Sequence, residues 1–306
     1  MGRFTFVVRN AFEIIMTVNK WLIVNTLNNI VATRTLGDIL VDAETINMGN
    51  LSVTARCYLG DSANGLLLKC YLTRDVRREK IYGSMYYRDE LAVFMPNGRV
   101  QYVDIAISHW VEGRALSDYI VQPNSNFARL SRNFDTMAYS LLLDDMVHCD
   151  IKPENIIVDE ELRMTLVDND ALWCDAWGRY RSHEKGTFGY RGLKSEAHTP
   201  VTYMQNYPIV LISIILAALS WEYDTIRPYV QEGLLFNPED ERHFAAAIEA
   251  AKMVFKRAGD ESHYKLCEEI TPMGVSTLHL TEKMYCAAFV PAASDRPMSL
   301  MPYYDV

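Results

Sequence analysis

The polar residues with the greatest chemical potential crowd into one short stretch. It opens His148-Cys149-Asp150-Ile151-Lys152-Pro153-Glu154-Asn155, runs through apolar residues, and ends Asp168-Asn169-Asp170. A carboxylate, an ammonium group, an amide and a second carboxylate in that order suit phosphoryl transfer from ATP. That reaction needs a group to align the acceptor hydroxyl and take its proton. It also needs oxygen ligands for magnesium and a cation to offset charge on the transferring group. Asp150, in a loop after a helical stretch, can orient and deprotonate a hydroxyl. Lys152, two residues on, can reach the γ-phosphate. Asn155 and Asp168 can supply metal ligands, because strand-like runs at 155–158 and 164–167 form a hairpin that returns Asp168 beside Asn155. Taken singly, each is equally a turn or strand-start residue; the ordered set carries the reading.

The elements that must position these groups fall into two kinds. Before residue 113 strand-like runs dominate, at 51–59, 66–72, 91–95 and 100–111. Turn signals at Gly60-Asp61, Asn64-Gly65 and Pro96-Asn97-Gly98 separate them, and the last two runs read as a hairpin. One helical segment, 75–85, interrupts the strands. After residue 113 helices dominate. Leu130, Phe134, Met137, Ala138 and Leu141 keep the i, i+3, i+4, i+7 rhythm over 127–146. Residues 209–219 are apolar on every side, as in a helix at the centre of a domain, and 244–255 form a third helix. The expected class is α+β, with a small antiparallel-sheet unit before a larger, mainly helical one. The expected divisions are a helical N-terminal extension over 1–45, a sheet unit over 46–112 and a helical unit over 113–306.

The string HCDIKPENIIV resembles the catalytic loop of the eukaryotic-like protein kinases (HRDxKxxN), with Asn155 five residues after Asp150 and Asp168 eighteen after it. Gly186-Thr187-Phe188-Gly189-Tyr190 is similar to the GTxxY at the end of their activation segment. The run from Trp110 to Tyr119 is similar to the hinge and the helix after it, and Leu66-Leu67-Leu68-Lys69 to the strand that carries the phosphate-binding lysine. The motifs come in the family's order from about residue 46 to about 222. The resemblance implies a bilobal protein-kinase-like fold of Ser/Thr type, with ATP and Mg2+ as cofactors. It implies Asp150 and Lys152 as catalytic residues and Asn155 and Asp168 as metal ligands. Lys69, Glu79, Gly49, Trp110 and Glu112 would bind the nucleotide, with Glu79 as the partner of Lys69 and Glu90 as the other candidate.

Several motifs depart from the family pattern. Gly49 is the only glycine of INMGNLSV, where the family has a glycine-rich loop over the phosphates. Cys149 replaces the arginine that pairs with an activation-segment phosphate, so activity should not depend on phosphorylation at Ser182 or Thr187. The DFG triplet reads Asp168-Asn169-Asp170. Gly192-Leu193-Lys194 stands where the anchoring glutamate is expected, and Asn206 is the nearest candidate for the aspartate of the central helix.

Composition bounds the function. Of 306 residues, 49% are hydrophobic and 23% charged, a globular balance. A net charge of -9 gives no electrostatic reason to bind nucleic acid or an anionic membrane. The basic run at 74–80 reads as a solvated helix face, and 209–219 is too short to span a bilayer. The six cysteines have no CxxC spacing and are spread along the chain, which suits reduced thiols and a cytoplasmic setting. The expected activity is transfer of the ATP γ-phosphoryl group to a hydroxyl of a protein substrate. The alternatives are a pseudokinase scaffold, favoured by the altered glycine loop and triplets, and a small-molecule kinase of the aminoglycoside or choline type, favoured by Asp170.

Overall fold

Alternation of apolar and polar side chains builds the first sheet. In a computed structural model, Val53, Ala55 and Cys57 point to a buried face while Thr54, Arg56 and Tyr58 point away. The structure describes residues 18–27, 31, 33–60, 64–123, 126–177, 186–192, 203–230, 240–276 and 279–290. Ser182, Lys194 and the tyrosine pair at 303–304 lie outside these. The chain divides into two units, Met1–Val111 and Glu112–Val306.

The first unit opens with helix α1 (Lys20–Leu27), capped by Asn19, whose Oδ1 accepts from Leu22 N at 3.1 Å. A five-stranded antiparallel sheet follows, made of β1 (Ile39–Met48), β2 (Ser52–Leu59), β3 (Leu66–Tyr71), β4 (Tyr86–Phe94) and β5 (Val100–His109), in the order β1-β2-β3-β5-β4. Helix α2 (Arg77–Tyr82) connects β3 to β4. The sheet therefore begins at Ile39, inside the stretch expected to be helical extension. Among the described residues of 1–45 only Lys20–Leu27 is helix. An irregularity between Asp42 and Asn47 explains why β1 is hard to see: five steps along β1 there oppose two along β2, and the extra residues break the two-residue rhythm. The β4–β5 turn closes as expected, with Gly98 N donating to Met95 O at 2.9 Å.

The sheet's two faces differ. One carries Val53, Leu68, Cys70, Leu91 and Ile105 against Ile23 and Leu27 of α1, which are fully buried. The other carries Tyr71, Tyr86 and Ala106 against Tyr82 of α2.

In the second unit, β6 (Arg114–Ala115) leads into α3 (Leu116–Ile120) and α4 (Phe127–Leu143). The strands β7 (Val147–His148), β8 (Ile156–Val158), β9 (Met164–Leu166) and β10 (Leu172–Trp173) pair as β7 with β10 and as β6-β8-β9. The core is α5 (Asn206–Trp221), in which every side chain from Tyr207 to Leu219 is buried. Such burial stabilises by roughly 1.5–3 kcal/mol for each large apolar side chain. Around it lie α6 (Tyr223–Ile226), α7 (Glu241–Ala258), α8 (Glu261–Glu269), the hairpin β11 (Ile270–Thr271) and β12 (Gly274–Val275), and α9 (Leu280–Phe289). Gly259, left-handed at φ 68°, ends α7, and Asp260 caps α8 by accepting from His263 N at 3.1 Å. No described helix is long and apolar enough to cross a membrane.

Candidate active site

The loop after β7 is fixed from several sides. Cys149 N donates to Ala171 O at 3.0 Å, and His148 N donates to Gln205 Oε1 at 3.2 Å. Gln205 Nε2 in turn donates to Leu141 O, near the end of α4, at 3.0 Å. The His148 ring accepts from Asp150 N through Nδ1 at 3.3 Å, which leaves Nε2 to donate to Val167 O at 3.1 Å. Burial pushes the His148 pKa below its ordinary value, against the pull of Asp168, so the neutral ring is the stable form. The ring thus ties Asp150 to the strand that leads to Asp168.

Asp150 is the hub. Its Oδ1 accepts from Thr187 Oγ1 at 2.7 Å, and its Oδ2 accepts from Lys152 Nζ at 2.9 Å. Lys152 Nζ also donates to Thr187 Oγ1 at 2.9 Å, closing a triangle. Asn155 Nδ2 donates to the Asp150 carbonyl at 2.8 Å and to its Oδ2 at 3.3 Å. Both contacts use the Asn155 amide nitrogen, so Oδ1 is the atom of that amide with the chemistry to meet a cation. Val167 N donates to Asn155 O at 2.8 Å, so the β8–β9 hairpin sets Asp168 one residue beyond that contact. Asp168 is left-handed, at φ 65° and ψ 54°. For a residue with a Cβ this costs about 1–3 kcal/mol, a strain that surrounding contacts must hold. Among the described residues no group of three His, Cys, Asp or Glu side chains converges on a metal site. A divalent ion at Asn155 and Asp168 would therefore complete its shell with ligand or water oxygens, as magnesium does.

Lys69 lies in mid-β3, buried, with Nζ 5.9 Å from the Tyr71 ring centroid. Glu79, its expected partner, is on the exposed side of α2 and forms an ion pair with Arg88. Glu90 is buried and accepts from Thr35 N at 2.6 Å and Leu36 N at 3.0 Å, so it fixes a loop. Gly49 sits in the β1–β2 turn, where a Cβ would make only ordinary contacts, 3.4 Å from Ser52 O. Its backbone does not require glycine. Trp110 stands one residue before the end of the first unit at Val111, and Glu112 starts the second unit. Gly113, beside them, does require glycine: at φ 143° a Cβ would lie 2.3 Å from Val158 O.

Three residues extend the site beyond the expected set. Thr187 was expected as part of a motif, not as a direct partner of Asp150 and Lys152. Gln205, one position before the expected Asn206, accepts from the loop after β7 at His148 N. Gly192 packs where a Cβ would be 2.6 Å from Met273 O, so close backbone contact with the β11–β12 turn stands at the triplet that lacks the family's anchoring glutamate. Cys149 packs among Val147, Ala171 and Trp173, an apolar setting unlike that of an arginine.

A five-stranded antiparallel sheet with a helix between its third and fourth strands comes first. A mainly helical unit follows, with the Asp150 loop and the β8–β9 hairpin ahead of its central helix. The fold is protein-kinase-like. No protein-family model matches the chain, and no curated protein matches it. Among solved structures it is similar to the Cydia pomonella granulovirus kinase PK-1, at 13% identity, covering 81% of this chain and 96% of that one, with a TM-score of 0.47. It is also similar to the ROP18 kinase domain in complex with AMP-PNP and sucrose, at 13% identity, covering 92% of each chain, with a TM-score of 0.48. At these values neither likeness bears on activity, nucleotide or substrate.

Proposed function

We propose that this chain is an ATP-dependent phosphotransferase of the Ser/Thr protein kinase type. The observation that carries the reading is the closed triangle of Asp150, Lys152 and Thr187, steadied by Asn155. It holds a carboxylate ready to accept a hydroxyl proton, with an ammonium group beside it. The Thr187 hydroxyl donates to Asp150 Oδ1, the same kind of contact that an acceptor hydroxyl would make there.

In this reading Asp150 aligns the acceptor hydroxyl and takes its proton. Lys152 and Lys69 offset charge on the transferring phosphoryl group. Asn155 Oδ1 and the Asp168 carboxylate would hold Mg2+, which supplies charge neutralisation at the phosphates. The segment with Trp110 and Glu112, together with the turn at Gly49, would receive the nucleotide. Glu79, ion-paired with Arg88, is assigned no role. Most of the rate would come from positioning and electrostatics. The six cysteines are thiols rather than disulfides, a state that a cytoplasmic setting would maintain.

The test is calorimetric titration of ATP with and without Mg2+, on the wild type and on Asp168→Ala, followed by phosphate transfer to Ser/Thr peptides, aminoglycosides and choline. Magnesium-dependent binding that is lost in the variant, with transfer to peptides, supports the reading. Transfer to a small alcohol alone moves it to a small-molecule kinase. No binding at millimolar ATP overturns it in favour of a scaffold.

A further inference from the structure

Helix α2 has six residues, too few to hold itself together in water, so contacts with the sheet must fix it. Its two sides differ. Arg77, Arg78 and Tyr82 are buried, while Glu79 and Lys80 face outward. Arg78 and Tyr82, four apart, lie on the side turned to the sheet. Arg78 is 4% exposed, and its guanidinium carbon stands 3.6 Å from the Tyr71 ring centroid. Its Nη1 donates to the Thr73 carbonyl, just past the end of β3. Tyr71 and Tyr86 rings lie 6.1 Å apart, and Tyr86 is fixed in turn by donating to Asp104 Oδ2 at 2.6 Å. A flat cation over a buried ring is a strong contact because water cannot compete for it. Tyr71 is two residues from Lys69 on the same face of β3, so the stack that grips α2 sits beside the lysine.

We propose that Arg78, stacked on Tyr71, is the positioning residue that docks α2 beside Lys69, in the place expected for a Lys69–Glu79 ion pair. The docking is then a cation–ring stack within the first unit, and Glu79 is free to serve Arg88. The functional side of the proposal, that docking sets how Lys69 meets phosphate, rests on the reading above; the docking itself does not.

The experiment is hydrogen exchange by mass spectrometry on the full chain, without nucleotide. Amide exchange over residues 77–85 is compared in the wild type, Arg78→Met, Tyr71→Leu, Tyr71→Phe and Glu79→Gln. Arg78→Met and Tyr71→Leu should each speed exchange there by about tenfold, and the double variant should add little to either. Tyr71→Phe, which keeps the ring, and Glu79→Gln should leave exchange at the wild-type rate. Acceleration by Glu79→Gln, none by Arg78→Met, or acceleration spread equally over β2, β3 and β5 would overturn the proposal. A second readout is Mg·ATP affinity. Arg78→Met should weaken it about tenfold in the wild type and have no further effect in a Lys69→Ala background. A wild type that binds no ATP sinks the phosphotransferase reading while leaving the exchange pattern to decide the docking.

Discussion

Asp150 and Asp135 are both buried aspartates of the second unit, and each is held by a cation and a hydroxyl. Asp150 has Lys152 Nζ at 2.9 Å and Thr187 Oγ1 at 2.7 Å. Asp135, on α4, has His263 Nε2 at 3.1 Å and Ser213 Oγ at 2.6 Å. The surroundings separate them. Lys152 is 22% exposed and comes from the same loop as Asp150, so the cluster can trade a partner for an incoming hydroxyl. His263 is 8% exposed and is clamped on its other nitrogen by Asp260 Oδ2 at 2.8 Å, which also accepts from Trp221 Nε1 at 3.0 Å. That second cluster bolts α4, α5 and α8 together. On the proposed reading, the same side-chain chemistry would serve turnover where it is loop-borne and reachable, and it serves cohesion where it joins three helices.

The largest expected effect sharpens this contrast at its active end. Asp150→Asn should lower single-turnover phosphate transfer about a thousandfold while leaving Mg·ATP affinity within about twofold. A variant that instead lost stability and kept turnover would reverse the roles of the two aspartates.

His263→Leu attacks the other end. Removing the cation leaves two carboxylates facing each other in the core, which should cost about 3–5 kcal/mol of stability in urea unfolding. The wild type should also carry a pH signature. Burial alone would lower the His263 pKa, but the Asp135 and Asp260 carboxylates outweigh it and raise it from 6.5 to about 10. A folded pKa above the unfolded one gives stability that is complete below pH 6.5 and lost as the pH rises through about 10. Unfolding free energies measured across that window should fall in the wild type and stay nearly flat in His263→Leu. A flat wild-type profile would mean that His263 is neutral in its cluster.

The contrast also explains what a single sequence can reveal. Asp150, Lys152, Asn155 and Asp168 stand within one short segment, where spacing along the chain nearly fixes spacing in space. Asp135 and His263 are 128 residues apart, and Gln205 is 57 from His148, so only the packed helices bring them together. Strands β2, β3 and β5 were legible because turn residues bracket the apolar runs, but only the second half of β4 was, because the irregularity between Tyr87 and Leu91 interrupts its pattern. β1 was not legible, because its own irregularity breaks the alternation, and the two-residue strands β7, β10, β11 and β12 are too short to carry a period. Gly192 gave no sign of its role because close backbone approach leaves no pattern beyond a single glycine.

Thr187 tests the edge of the active cluster. Thr187→Ala removes one charge-assisted bond to Asp150 and one to Lys152, and should slow transfer about tenfold to thirtyfold. Thr187→Ser should restore most of it, since the hydroxyl matters and the methyl does not. Thr187→Glu should not, because a second carboxylate against Asp150 is repulsive. Rescue by the glutamate would show that Thr187 acts as a phosphorylation site instead.

The smallest effect is expected where the cluster meets the helical core. Gln205 binds His148 N with its amide oxygen and the Leu141 carbonyl with its amide nitrogen, so one uncharged side chain ties the catalytic loop to α4. Gln205→Ala takes the side-chain partner from a buried N–H and from a part-buried carbonyl. Gln205→Glu keeps the acceptor for His148 N but turns a carboxylate toward the Leu141 carbonyl. If the loop bond alone matters for turnover, the glutamate variant should transfer phosphate at nearly the wild-type rate, and the alanine variant about fivefold more slowly. Both should lose about 1 kcal/mol or more of stability. Equal turnover in the two variants would place the contribution of Gln205 in the α4 contact, and so in cohesion, on the Asp135 side of the comparison.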